Sequence, residues 1–170
     1  IPGGTLSPRA IPLFQSPLVI PPAMPSTAAG TYEIAVRQLT QQILPDGLPP
    51  TTVWGYGSIA HPATFNYPAF TIEATRGIAT TVSWINELVD GSGRFLPHLL
   101  PVDPTLHWAN PPGGETARAT RPVFETTRGR YTGPVPIVTH VHGAVGVGDE
   151  SDGYAEAWFL PAAVNLTATN

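Results

Sequence analysis

Thr31-Tyr32-Glu33-Ile34-Ala35-Val36-Arg37 decides the fold. Tyr32, Ile34 and Val36 fall on one face and Glu33, Ala35 and Arg37 on the other, which is the period of a half-buried strand. Outward from it, residues 51–57 form a β-rich run and residues 70–74 a second. Thr75-Arg76-Gly77 then turns the chain into residues 78–85, where Thr80, Val82 and Trp84 oppose Ala79, Thr81, Ser83 and Ile85. Pro45-Asp46-Gly47, Asp90-Gly91-Ser92-Gly93 and Pro111-Pro112-Gly113-Gly114 carry turn chemistry. Residues 86–134 read mostly as loop, and residues 135–141 as the last clear strand. No stretch keeps a helical period and no repeat is present. The pattern predicts an all-β Greek-key barrel or sandwich. Residues 1–30 form a Pro-rich N-terminal arm, with seven Pro by residue 29. Such a segment cannot fill ladder positions and is expected to lie extended over the domain of residues 31–170.

With 170 residues the chain is about one domain long. Its 42% hydrophobic content and four Trp exclude disorder and supply a core. Its 21 Pro and 17 Gly favour short strands and turns over helices. A net charge of −4 with no basic cluster argues against nucleic acid or an anionic membrane as partner. All eight basic residues are Arg, a bias without a physical account. The chain has no Cys, so it offers neither a disulfide framework nor a thiolate ligand for copper. No apolar run approaches the length of a membrane span. Ile1-Pro2-Gly3-Gly4 reads as a processed N-terminus, and Asn165-Leu166-Thr167 is a glycosylation acceptor. Both favour a secreted, extracellular protein.

Chemistry concentrates in Val138-Thr139-His140-Val141-His142-Gly143. Residues i and i+2 of a strand point the same way, so His140 and His142 are expected to project together. Imidazole is the commonest nitrogen ligand for copper and zinc. Two ligands seldom hold a transition metal alone, so the pair needs donors from elsewhere. Residues 143–153 hold four Gly and three acidic residues, a loop long enough to run over a site. Trp54, Trp84 and Trp158 are expected in the core. His61, before Pro62, is expected in a loop. His98 and His107 are expected to serve structure, His107-Trp108 optionally a substrate-side surface, and Asp149 and Glu150 are read as solvated loop charges.

The chain resembles the N-terminal cupredoxin domain of multicopper oxidases, especially the branch of spore-coat laccases and bilirubin oxidases. The segments that carry the resemblance are Thr51-Thr52-Val53-Trp54-Gly55-Tyr56, Thr71-Ile72-Glu73-Ala74, Trp84-Ile85-Asn86, His98-Leu99-Leu100-Pro101-Val102-Asp103 and His140-Val141-His142-Gly143. They are followed by Ser151-Asp152-Gly153 and Glu156-Ala157-Trp158-Phe159, in the family's order, over residues 31–161. The resemblance implies a cupredoxin-like fold and a laccase-like oxidase that passes electrons from phenolic or aromatic donors to O2. It implies His140 as a ligand of the type 2 copper and His142 of a type 3 copper, in a trinuclear cluster. Asp152 matches an acidic residue that relays protons, a role suited to a reaction that consumes them.

The departures are informative. The family's Pro-Gly-Pro before Thr-Ile-Glu is replaced by Tyr67-Pro68-Ala69-Phe70, and the Gly146-Val147-Gly148 loop is about one residue longer than in spore-coat laccases, which bears on where Asp152 lies. The later His-x-His elements and the copper-binding Cys are absent, and the tail at residues 164–170 is polar and uncapped. The expectation is an incomplete first cupredoxin domain, the N-terminal part of a split or nicked oxidase. A complementary larger chain would bring the remaining ligands and the mononuclear type 1 copper, making a heterodimer. The competing expectation is a non-catalytic cupredoxin-like binding or scaffolding module.

Overall fold

The computed structural model describes residues 6–102, 132–148, 153 and 159–166. The chain divides into two compact units, Ile1–Glu87 and Leu88–Asn170. In the first, β1 (Thr31–Gln41), β2 (Thr51–Ser58) and β3 (Thr81–Asn86) form one sheet in the order β2-β1-β3. β1 runs antiparallel to β2, from Ile34 opposite Ser58 to Gln41 opposite Thr51. It runs parallel to β3, from Thr31 beside Thr81 to Val36 beside Asn86. Among the described residues the only helical pieces are two single 3-10 turns, Pro8–Ala10 and Pro62–Thr64. The fold is all-β, an open mixed sheet consistent with a cupredoxin-like domain.

Local chemistry sets the connections. Pro45-Asp46-Gly47 turns the chain between β1 and β2, with Gly47 at φ +90 and the Leu48 N–H donating to the Pro45 carbonyl at 3.2 Å. At the end of β1 the Gln41 amide copies a backbone pair. Its Nε2 donates to the Tyr67 carbonyl at 2.7 Å, and its Oε1 accepts from the Tyr67 N–H at 2.9 Å. That clamp holds the Tyr67-Pro68 turn, whose peptide bond is cis.

Met24, Tyr32 and Ile34 form the apolar centre, with Tyr56, Phe70, Ile72 and Val82 packed around it. Ile34 is 1% exposed. Replacing it with alanine removes buried hydrocarbon and leaves a void, so Ile34→Ala is expected to lower stability by about 2–5 kcal/mol. Urea denaturation reads that loss as a lower midpoint at unchanged slope.

Several expectations change in detail. β1 continues to Gln41, and Ala35, placed on the outer face by the alternation, is 0% exposed, so both faces are covered at mid-strand. β3 starts at Thr81, because Ile78 closes the preceding turn onto the Thr75 carbonyl (3.0 Å). The run at residues 70–74 is no strand. Thr71 alone pairs, in parallel with Ala23 of the arm, through Thr71 N–H to Pro22 O and Met24 N–H to Thr71 O, both 2.8 Å. Pro21, Pro22 and Pro25 lack the donors to extend that bridge. Trp84 is 40% exposed, not core, because β3 is an outer strand of the described sheet; its ring meets Tyr56 edge-on at 5.5 Å. Trp54 is partly buried, and its indole N–H reaches Gln38 Oε1 at 3.4 Å. Trp158 lies outside the described residues.

Candidate metal centre

In the second unit Leu88, Pro134, Val135, Ile137 and Pro161 are buried. A tight loop follows Leu88. Asp90 Oδ1 accepts the N–H groups of Ser92 (2.8 Å) and Arg94 (3.0 Å), and those bonds, Arg94's the larger, hold its carboxyl below the ordinary range. The Val164 N–H donates to the Gly93 carbonyl and the Phe95 N–H to Asn165 Oδ1, both at 2.9 Å. Asn165 thereby fastens its segment to the Asp90 loop.

Among the described residues the last expected strand, residues 135–141, shows one antiparallel pair, Ile137 with Phe159, closed by two 2.9 Å hydrogen bonds. Pro134 and Pro136 supply no N–H, so pairing cannot run back from Ile137. Beyond it the backbone enters a turn in which the Ala144 N–H reaches the Val141 carbonyl at 3.1 Å, with Gly143 at φ +76. His142 and Gly143 are its two central residues, and the positive φ at the second explains the glycine.

An extended segment running into a turn therefore brings the imidazoles together, in place of a ladder. The His140 and His142 ring centroids lie 5.8 Å apart with the planes at 73°, and both residues are exposed. His140 Nδ1 lies 3.2 Å from the Val138 carbonyl. In the tautomer that donates this bond, the Nε2 lone pair is left for an electrophile. Fixing one ring nitrogen with a carbonyl is how metal-binding histidines are commonly oriented. The donor set and spacing fit copper, as ligands to one ion or to two adjacent ions. Among the described residues no third His, Cys, Asp or Glu joins them, so this pair alone cannot complete a coordination sphere.

Gly153, the last residue of Ser151-Asp152-Gly153, lies against His140: a Cβ at this position would fall 2.6–2.7 Å from Cε1, Nδ1 and Nε2 of the ring. At Gly153 the chain is thus back beside His140. Asp152, Asp149, Glu150, His107 and Trp108 lie outside the described residues. His98 is half-buried and burial lowers its pKa, which favours the neutral ring at pH 7. His61 opens the 3-10 turn Pro62–Thr64, with Nδ1 3.2 Å from Ser58 Oγ. Sequence reasoning missed the Val138 carbonyl and the approach of Gly153. A backbone carbonyl leaves no mark in sequence, and Ser-Asp-Gly reads as turn chemistry whatever the glycine touches.

No protein-family model matches the chain. It is 39% identical over 158 residues to a laccase of Haloferax volcanii, an alignment covering 89% of this chain and 22% of that protein. It is 32% identical over 143 residues to a laccase of Bacillus subtilis, covering 84% and 22%. A rice protein named multicopper oxidase LPR1 homolog 3 is 38% identical over 112 residues, covering 66% and 16%. The chain therefore spans about a fifth of the length of these laccases.

Proposed function

Because this chain belongs to the multicopper oxidase family and matches its N-terminal domain, we propose that it supplies His140 and His142 to a trinuclear copper cluster. His140 serves the type 2 ion and His142 one of the type 3 pair. The single observation that carries the reading is the 5.8 Å approach of these two exposed rings in a chain aligned with laccases over most of its length. When bound, copper supplies one-electron redox chemistry that joins oxidation of phenolic donors to the reduction of O2 to water. That reduction takes up four electrons and four protons per O2. This chain's part is to hold two imidazole donors and to pass protons. Asp152 is the proposed proton relay, adjacent in sequence to the glycine that touches His140.

The remaining ligands, the thiolate copper and the donor pocket are proposed to lie on a complementary larger chain. These 170 residues hold one His-x-His element and no Cys, so the remaining ligands must come from polypeptide outside them. Secretion is proposed with it, supported by the acceptor triplet Asn165-Leu166-Thr167, whose Asn165 would carry the glycan on Nδ2 while Oδ1 accepts the Phe95 N–H.

The test is to purify the native material, run it on a denaturing gel and count copper per complex. The expected result is co-purification with a larger polypeptide, a full trinuclear-plus-mononuclear copper complement and the blue absorption of thiolate-bound copper. Intact mass on the same sample reads any sugar at Asn165. A stable, colourless, copper-free monomer would overturn the proposal in favour of a non-catalytic cupredoxin-like module.

A further inference from the structure

The three distances from a Cβ at position 153 to His140 are nearly equal, 2.6 Å to Cε1 and 2.7 Å to each ring nitrogen. An approach in the ring plane through Cε1 would leave both nitrogens distinctly farther away than the carbon. Near-equality places the position over the face of the ring, with the Gly153 Cα one bond behind it. Two restraints on the ring then act in different directions. The Val138 carbonyl engages Nδ1 at 3.2 Å, and the Gly153 backbone limits tilt out of the ring plane.

We propose that Gly153 is a positioning residue for His140, its missing side chain letting its own backbone sit against the imidazole face and fix the direction of the Nε2 lone pair. A nitrogen lone pair lies in the ring plane, so rotation of the ring about its bond to Cβ swings that direction away from any acceptor. Precise sites need ligands whose rotamers are locked by their surroundings. Any side chain at position 153 would fall within 3 Å of the ring atoms, closer than real Cβ atoms come to a neighbour, so ring or loop must move. Gly153 also has φ +75, which disfavours alanine for a separate, purely backbone reason. The two causes can be separated. Asparagine tolerates a positive φ far better than alanine but carries the same Cβ.

For its effect on copper the inference rests on the ligand role proposed for His140; the stacking itself involves no metal. The experiment therefore has two arms, both on the complete copper-containing protein and its copper-stripped form. Gly153→Asn is expected to weaken copper retention at the type 2 position about 10–100-fold, the range for loss of outer-shell support. It is also expected to change the electron paramagnetic resonance signal of that ion while the blue thiolate-copper band keeps its intensity. In the copper-stripped form, Gly153→Asn is expected to lower Tm alone but far less beside His140→Ala, since removing the ring removes the collision. Equal Tm losses in the two backgrounds, or an unchanged resonance signal and copper retention in Gly153→Asn, would overturn the inference. If the native protein bound no copper at all, the ligand reading would fail while the Tm coupling still decided the stacking.

Discussion

His140→Ala and His142→Ala are each expected to abolish O2 consumption by the complete protein while leaving its fold and melting temperature nearly unchanged. Both residues are exposed, and the His140 ring is tied to the rest of the fold by a hydrogen bond to the nearby Val138 carbonyl. Substitutions at such surface positions usually shift stability by no more than about 0.5 kcal/mol. A ligand is a different matter. Outer-shell partners cost roughly 10–100-fold in metal affinity or activity when removed, and loss of a ligating nitrogen should exceed that range. The proposed division of roles also predicts different signatures. His140→Ala should remove the type 2 resonance signal, and His142→Ala should disturb the type 3 pair first. An oxygen electrode, copper counting and thermal denaturation on the same preparations check all of this. Retention of full copper and rate in either variant would sink the proposed function. A matching fall in melting temperature would instead make the rings structural.

The elements legible in the sequence are those whose signal is local. The alternation of Tyr32, Ile34 and Val36 marks β1 because a half-buried strand repeats every two residues, and all three are buried. Gly47 and Gly93 mark turns because a positive φ suits glycine, and both have one. The runs at 70–74 and 135–141 look like strands in sequence because composition reports strand propensity but not whether a partner backbone has N–H groups to offer. Among the described residues, prolines around Ala23 in the first case and around Ile137 in the second leave each run a single bridge. At the candidate site, the approach of His140 to His142 is legible from their spacing, although a turn at Gly143 produces it in place of a flat ribbon. The stacking of Gly153 on His140 is not legible, because it joins residues thirteen apart through a loop whose path no periodicity encodes.

Gly57→Ala is expected to destabilise the first unit by about 3 kcal/mol, at the upper end of what overpacking commonly costs. Gly57 is buried in β2 opposite Ala35, and a Cβ there would fall 2.6 Å from Phe65 Cγ and 2.7 Å from Phe65 Cα. The second of these distances is decisive, because backbone cannot swing aside as the end of a side chain can. Nor is the turn carrying Phe65 loosely held. The Ser58 N–H donates to Thr64 Oγ1 at 2.8 Å, and that hydroxyl donates to the His61 carbonyl, also at 2.8 Å. Moving Phe65 also disturbs the Arg37 guanidinium stacked 4.2 Å from its ring centre, whose Nε is bonded to Glu87 Oε2 at 2.6 Å. That half-exposed ion pair adds little by itself, about 0.2–1 kcal/mol, so most of the loss is steric. Two controls isolate the cause. Gly91→Ala, with nothing within 4 Å of the new carbon and no positive φ, should stay within about 0.5 kcal/mol of the parent. Phe65→Ala combined with Gly57→Ala should recover only part of the coupling, since the collision with the Phe65 backbone survives removal of the ring. Full recovery in the double variant would mean that the ring alone, and not the backbone of the turn, abuts β2. A Gly57→Ala effect no larger than the Gly91 control would mean that the two segments pack less closely than a 2.7 Å approach requires.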